Sequence, residues 1–345
     1  MSEPLRPTSA DRVLVIAPHP DDEAIACGGL LLAARDAGAA RRVVTLTDGD
    51  NNPWPQRWLE KRWRIDAAAR VRWGACRRAE AQAALDLLGV ATDERAFLAF
   101  PDTALTSLLM RDAGRIVDPL RAQIAAFAPT HIAFPALADR HPDHSAAHIA
   151  LRLAAAGAGS TARLIAFRVH GTDGARAAHV VELDPARRGA KRAAIACHHT
   201  QMALSSARFL AFATERESYD EAVAAPPDDH PLRATLREGR ILELRLHDRR
   251  LHGNRQALIL FGDARGKTDA WWLPLARPEQ TCELRDARDD HPVAAARWRD
   301  EADGPALALP LPHSVSPHVG FVKLARPRTG LVVFDRYGWQ AVELV

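Results

Sequence analysis

The feature that most constrains this chain is an apolar run, Val13 to Ala17, that stops at Pro18 and gives way at once to His19-Pro20-Asp21-Asp22-Glu23. Unbroken apolarity over five residues reads as a strand, and the helix-favouring stretch Ala24 to Ala37 behind the polar cluster reads as the helix that follows it. The same order then repeats. Val43 to Leu46 is a second apolar run, and it ends in Thr47-Asp48-Gly49-Asp50-Asn51-Asn52, a loop by composition. The Ala-rich, charge-studded segment Arg70 to Leu88 has helical spacing and meets Gly89, a C-terminal stop. Strands near Ala96–Phe100 and at His131–Phe134 alternate with helices near Asp112–Phe127 and from Ser145 to Ala156. Repeated strand-helix units predict an α/β fold, a Rossmann-like mainly parallel sheet with helices on both faces.

The pattern changes after about residue 220. Ala222-Val223-Ala224-Ala225-Pro226-Pro227-Asp228-Asp229-His230-Pro231 has a linker's composition, and beyond it short runs such as Ile241–Leu246, Ala257–Phe261 and Leu331–Phe334 are separated by Gly, Pro and Asp turns. The expected organisation is a larger domain over residues 1–222, a linker at 223–231, and a smaller β-rich C-terminal domain over 232–345. A length of 345 residues suits one large domain and one small one.

Composition removes several classes of function. With 47% apolar and 26% charged residues the chain can bury a sizeable core, so disorder is excluded. A net charge of +3 with no Lys/Arg stripe to track phosphates implies no nucleic-acid partner. Cys27, Cys76, Cys197 and Cys282 form no CxxC pair and read as reduced thiols. The N-terminal residues lack the apolar core of a signal peptide, and no segment is apolar for long enough to span a bilayer, so a cytoplasmic location is expected.

Two polar clusters carry the chemistry: His19-Pro20-Asp21-Asp22-Glu23, and His141-Pro142-Asp143-His144 after the strand at His131–Phe134. Loops at the carboxyl ends of parallel strands meet along one edge of such a sheet, so the clusters can converge although more than a hundred residues separate them. Imidazole nitrogen and carboxylate oxygen suit zinc, and a catalytic zinc site keeps three protein ligands and an open position for water. His19, Asp22 and His144 would make such a set. Asp21 and His141 are then left for proton transfer: a carboxylate beside the water can take its proton, and a histidine opposite can steady the oxyanion or protonate the leaving amine.

At these residues the chain resembles the PIG-L/LmbE family of zinc-dependent N-acetylglucosaminyl deacetylases. The marks are Ala17-Pro18-His19-Pro20-Asp21-Asp22-Glu23 with Gly28-Gly29, the His141 to His144 cluster leading into a helix, Arg77-Arg78-Ala79-Glu80 in a helix ending at Leu88-Gly89, Phe100-Pro101-Asp102, and Lys191 to Gln201. The resemblance covers roughly residues 12–215. It implies one Zn2+ on His19, Asp22 and His144, Asp21 as general base, His141 as electrostatic catalyst or acid with Asp143 as its partner, and Arg77 and Asp102 near sugar hydroxyls. Some members place a Tyr two residues before the equivalent of His141, where this chain has Asp139; the sequence leaves open what replaces it, and neighbouring Arg140 is one candidate.

The implied activity is acetyl removal from an N-acetylated amino sugar. The alternatives are a same-fold amidase acting on a thiol conjugate or an N-acylated lipid-linked sugar, and a non-catalytic glycan-binding protein. Gly28-Gly29 has no GxGxxG or Walker lysine around it and reads as close helix-strand packing. Trp54, Trp58, Trp63 and Trp73 lie in a segment, Asn51 to Trp73, that reads as a candidate lid. His291, His313 and His318 lack the pairing a second metal site needs.

Overall fold

In the computed structural model the Val13–Ala17 run lies in the second of eight strands of one sheet. The structure describes residues 2–171, 177–222, 230–248, 251, 255–312, 316–326 and 334–345. Most of the expected linker, His313, and all but the last residue of the expected strand Leu331–Phe334 lie outside the described residues.

The elements of the first two thirds run β1 (Glu3–Pro4), β2 (Arg12–Ala17), α1 (Asp22–Asp36), β3 (Ala40–Thr47), α2 (Pro53–Glu60), α3 (Ala67–Leu87), β4 (Arg95–Phe100), α4 (Leu105–Asp112), α5 (Gly114–Phe127), β5 (His131–Pro135), α6 (Pro142–Gly157), β6 (Arg163–Phe167), β7 (His179–Glu182), α7 (Pro185–Ala196), α8 (His199–Leu210) and β8 (Arg216–Glu221). The chain forms two compact units. The first comprises Met1–Leu105, Ala125–Asp139 and Thr161–Ala222; the second comprises Thr106–Ile124, Arg140–Ser160 and Val223–Val345.

The first unit holds the eight-stranded sheet, in the order β1-β7-β8-β6-β5-β2-β3-β4. All neighbours are parallel except the two pairs that β8 makes, with β6 and β7. The mainly parallel α/β sheet expected from the sequence is therefore present. From β2 the chain crosses to β3 and β4 on one side, then returns to β5 on the other. The carboxyl ends of β2 and β5 thus flank the point where strand order reverses, the place where open α/β sheets bind ligands.

Val13 and Val15 of β2 pack with Ile25 and Leu31 of α1, Leu85 of α3 and Ile195 of α7, while Leu14 and Ile16 on the opposite face are also fully buried. A strand buried on both faces needs an unbroken apolar run, which is why β2 is legible in the sequence. Beneath α1, Glu217 of β8 accepts the mid-helix backbone N–H groups of Gly29 (2.6 Å) and Leu30 (2.8 Å), and Tyr219 donates its hydroxyl to the Ala26 carbonyl at 3.1 Å. Lys191 of α7 pairs with the same carboxylate at 2.6 Å, with both side chains buried. A Cβ at Gly29 would come within 2.7 Å of Leu183 and 2.9 Å of Glu217, so the second glycine of the pair lets a carboxylate reach a helix backbone.

Two features of these helices differ from the sequence reading. The helix expected at Asp112–Phe127 is α5, and a further helix that the sequence reading did not give, α4, precedes it. The helix expected from Ser145 begins at Pro142, because His141 caps it and Pro142 fills the first helical position, where a missing N–H costs nothing.

The second unit contains β9 (Leu232–Arg237), β10 (Ile241–Leu246), β11 (Gln256–Gly262), β12 (Thr268–Pro274), β13 (Thr281–Asp286), β14 (Pro292–Arg297), β15 (Arg299–Glu301), β16 (Gly304–Pro310), β17 (Val319–Ala325), β18 (Trp339–Ala341) and β19 (Glu343–Leu344). They form a sheet of order β15-β16-β10-β9-β19 and another of order β14-β13-β12-β11-β17-β18, antiparallel throughout except for the β9–β19 pair. Inward residues of both, among them Leu236, Leu244, Leu307, Ile259, Leu273 and Trp298, share one core, which makes this the expected β-rich part. The α5 and α6 segments of this unit meet the turn between β11 and β12 closely. A Cβ at Gly157 would lie 2.7 Å from the Arg265 carbonyl oxygen, and one at Gly262 would lie 2.1 Å from Leu153.

Candidate metal and catalytic site

In the first unit the backbone leaves β2 through Pro18, His19, Pro20 and Asp21 and enters α1 at Asp22. Asp21 has φ 127°, in the region that favours glycine, a conformation that costs on the order of 1–3 kcal/mol and persists only where its surroundings over-determine it. Three residues do so. Glu23 accepts the Asp21 backbone N–H at 3.0 Å; Arg77 of α3 donates through Nη2 to the Pro20 carbonyl (2.6 Å) and to Asp21 Oδ2 (3.1 Å), and through Nη1 to the Gly49 carbonyl (2.8 Å). His198, at the start of α8, completes the group with Nε2 3.1 Å from Glu23 Oε1, both side chains fully buried. Gly49, at φ 61°, leaves no room for a Cβ, which would lie 1.8 Å from the Arg77 guanidinium.

His19 is held on both sides by carboxylates. Its backbone N–H donates to Asp22 Oδ2 at 2.9 Å and its Nδ1 lies 3.4 Å from the same oxygen, while its Nε2 lies 3.3 Å from Asp102 Oδ1. Asp102, after β4, also accepts the Asn51 backbone N–H at 2.7 Å. Asp21, Asp22, Glu23 and Asp102 are all buried. Among the described residues of this cluster, Arg77 and His198 are the cationic partners of Asp21 and Glu23.

The electrostatics follow from that crowding. Burial is the main force that raises Asp21 from 3.8 to about 6; Arg77 opposes it, and neighbouring Asp22 and Glu23 add to it. Burial disfavours the charged form of His198 too, but its bond to Glu23 and the charges of Glu23 and Asp21 outweigh this and raise it above the usual imidazole value. Asp102 goes the other way, because the His19 ring, the Asn51 amide and Arg77 overcome its burial and lower it.

In the second unit His141 is the N-cap of α6, and its Nδ1 accepts the Asp143 backbone N–H at 3.2 Å. With Nδ1 accepting, the proton of the neutral ring sits on Nε2. His144 lies one turn on, its ring centroid 5.1 Å from that of His141, and both Asp143 and His144 are buried on the first helical turn.

The structure thus gathers His19, Asp21, Asp22, Arg77 and Asp102 in one unit, and His141, Asp143 and His144 in the other. Arg77 is buried and spends its donors on two loop carbonyls and Asp21, so it clamps the loops; Asp102 braces His19 and Asn51. Asp139, where some relatives have Tyr, is buried and accepts the backbone N–H groups of Val169 and His170, while Arg140 is exposed. Sequence reasoning assigns no role to Glu23 or His198. Glu23 stands inside the quoted motif and His198 inside the quoted stretch Lys191 to Gln201, but nothing in their spacing tells that residues so far apart in the chain pair.

Residues 14–155 match the family described as PIG-L: GlcNAc-PI de-N-acetylase. No curated protein matches the chain. Among solved structures, a conserved protein from Thermus thermophilus is 23% identical, with 64% of this chain and 99% of that chain covered and a TM-score of 0.47. A deacetylase of the teicoplanin biosynthetic pathway is 25% identical over 58% of this chain and 88% of its own, with a TM-score of 0.45. N,N'-diacetylchitobiose deacetylase from Pyrococcus horikoshii is 20% identical over 61% and 82%, with a TM-score of 0.47. The match over residues 14–155 takes in β2 with its HPDDE loop and α6 with its HPDH cap, and its class is the hydrolytic N-deacetylases. Residues 14–155 thus carry the part of the chain that matches the PIG-L family.

Proposed function

We propose that this protein is a zinc-dependent hydrolase that removes the acetyl group from an N-acetylated amino sugar of a glycoconjugate, with His19, Asp22 and His144 as the ligands. The observation that carries the proposal is the charge of the buried cluster. His19 stands between the buried carboxylates of Asp22 and Asp102, with Asp21 and Glu23 buried in the same cluster, an anionic setting that would favour a dication. The donor set of imidazole and carboxylate fits zinc. His144 follows β5, the parallel neighbour of β2 across the reversal point, which supports including it.

Zinc bound there would supply polarisation of the acetamide carbonyl. The remaining steps belong to the chain. Asp21 takes the proton of the attacking water; its carboxylate, raised by burial and steadied by Arg77 and the Glu23-bound peptide, is basic enough to do so. His141, with the proton on Nε2, serves the oxyanion and then the leaving amine, and Asp143 fixes that tautomer through its backbone N–H. The products are acetate and a free amine.

The test is acetate release from a panel of N-acetylated sugars, nucleotide sugars and lipid-linked sugars, with metal-depleted protein as control. Release that depends on metal supports the proposal, and release of a longer acyl group or cleavage of a thiol conjugate would replace it. Metal analysis of His144→Ala tests the ligand set. The wild-type chain should carry about one zinc and the variant far less; equal content would remove His144 from the set.

A further inference from the structure

Five of the eleven large apolar side chains exposed among the described residues lie between positions 54 and 71: Trp54, Trp58, Leu59, Trp63 and Val71. Trp58 is 68% and Trp63 77% exposed, values a tryptophan rarely reaches without a reason. The same stretch concentrates charge. Between Arg57 and Arg72 stand six basic residues, Arg57, Lys61, Arg62, Arg64, Arg70 and Arg72, against Glu60 and Asp66, a net of four positive charges where the whole chain carries +3. Arg57 lies over the rings of Trp54 (5.1 Å) and Trp63 (4.9 Å), so the basic and aromatic groups form one patch.

The patch has a firm base. Pro55 and Gln56 of α2 are buried, and the Gln56 side-chain amide donates to the Ala69 carbonyl at 2.8 Å, tying α2 to the start of α3. At its other end Asn51 is bonded to Asp102 and to Thr103, so the patch begins where the His19 cluster ends.

We propose that α2 and the 61–64 turn dock the protein onto an anionic phospholipid bilayer. Indole rings settle at the boundary between headgroups and acyl chains, and flanking Lys and Arg meet the lipid phosphates. An uncharged glycan offers nothing for four net positive charges. Single-stranded nucleic acid would stack on the indoles but has no use for Leu59 and Val71, aliphatic side chains 47% and 71% exposed. Docking of this kind is peripheral and needs no spanning helix; no helix among the described residues is long and apolar enough to cross a membrane.

The experiment uses the full chain and vesicles of phosphatidylcholine with and without phosphatidylglycerol, read by co-sedimentation and tryptophan emission. Binding to the mixed vesicles only, with a blue shift and partial release by salt, is expected. The triple variant Lys61→Gln, Arg62→Gln, Arg64→Gln should partition about a hundredfold less, at about 1 kcal/mol per basic residue. Trp58→Ala with Trp63→Ala should lose the blue shift and most of the binding while keeping turnover of a soluble N-acetylated sugar. Equal binding to both vesicle types, wild-type partitioning by the triple variant, or displacement by an oligonucleotide at equal phosphate would overturn the proposal. So would loss of soluble-substrate turnover in both variants, which would make the segment a substrate lid. The vesicle readout does not depend on hydrolysis, so it stands or falls separately from the deacetylase reading.

Discussion

Asp21 and Asp22 are neighbours with different surroundings, and that difference makes their roles separable. Asp22 accepts from the His19 backbone and sits beside its ring, whereas Asp21 is turned to φ 127° and paired with Arg77. Asp21→Asn keeps size and most hydrogen bonds but cannot take a proton, so kcat for acetate release should fall by roughly 10² to 10⁴ with zinc retained. Asp22→Asn should lose zinc, and excess zinc should restore part of its activity. Near-normal turnover by Asp21→Asn would remove it as the base. The pH profile gives a second test. The base must be ionised, so activity rises with pH through its titration, and a bound dication can only lower the value of about 6 set chiefly by burial; the limb should lie at or below about 6. Arg77 opposes that rise, so Arg77→Gln should move the limb to higher pH and Arg77→Lys should move it less. An unmoved limb in Arg77→Gln would show that Asp21 does not govern it. At this scale the sequence yields the side chains but not their bracing. The motif names Glu23, whose bond to the Asp21 backbone is local, but its link to His198 exists only once α8 has come back to α1.

Elements that are buried on both faces are the most legible. β2, β3 and β5 announce themselves as apolar runs, and α3 ends at a glycine in the left-handed region, Gly89 at φ 73°. The start of α6 reads late in the sequence because His141, Pro142 and Asp143 are polar or helix-averse by composition, although at a cap and first turn they favour the helix. α2 reads as lid because its tryptophans and prolines mask a short helix capped by Asn52. The meaning of Gly28-Gly29 is the clearest case of packing deciding what sequence can only suggest. Gly29→Ala puts a methyl group against Leu183 and the Glu217 carboxylate that two backbone amides and Lys191 share. Overpacking of this kind costs about 1–3 kcal/mol, and Tm should drop by about 2–4 °C per kcal/mol in a unit of this size. Gly28→Ala meets chiefly the flexible Lys191 stem at 3.1 Å and should cost less. Equal Tm values for the two variants would mean that α1 shifts freely over β8 and that the glycine pair has another cause.

At the scale of the whole molecule the sequence divides the chain near residue 222, and the composition change there is real, but packing draws helices across that line. Residues 140–160 belong to the same compact unit as the C-terminal sheets. No periodicity in α6 reports this, since the contact depends on Gly157, Gly262 and Gly266, glycines that let the helix lie against the β11–β12 turn. The consequence concerns the proposed metal set. His19 and Asp22 stand on the loop and first turn beside β2, whereas His144 stands on the first turn of α6. A chain ending at Ala222 keeps every strand of the eight-stranded sheet but strips Leu153 and Gly157 of their partners in the β11–β12 turn. Exposing one buried leucine costs about 1.5–3 kcal/mol, and the loss falls on the helix that carries His144. The truncated chain should therefore retain helical and strand circular dichroism, melt several degrees lower, and bind zinc more weakly than the full chain while the His144→Ala variant of either form binds weakly alike. If instead the truncated chain melts at the full-length temperature and holds about one zinc, residues 1–222 form an autonomous domain and the C-terminal sheets act on something other than the metal site.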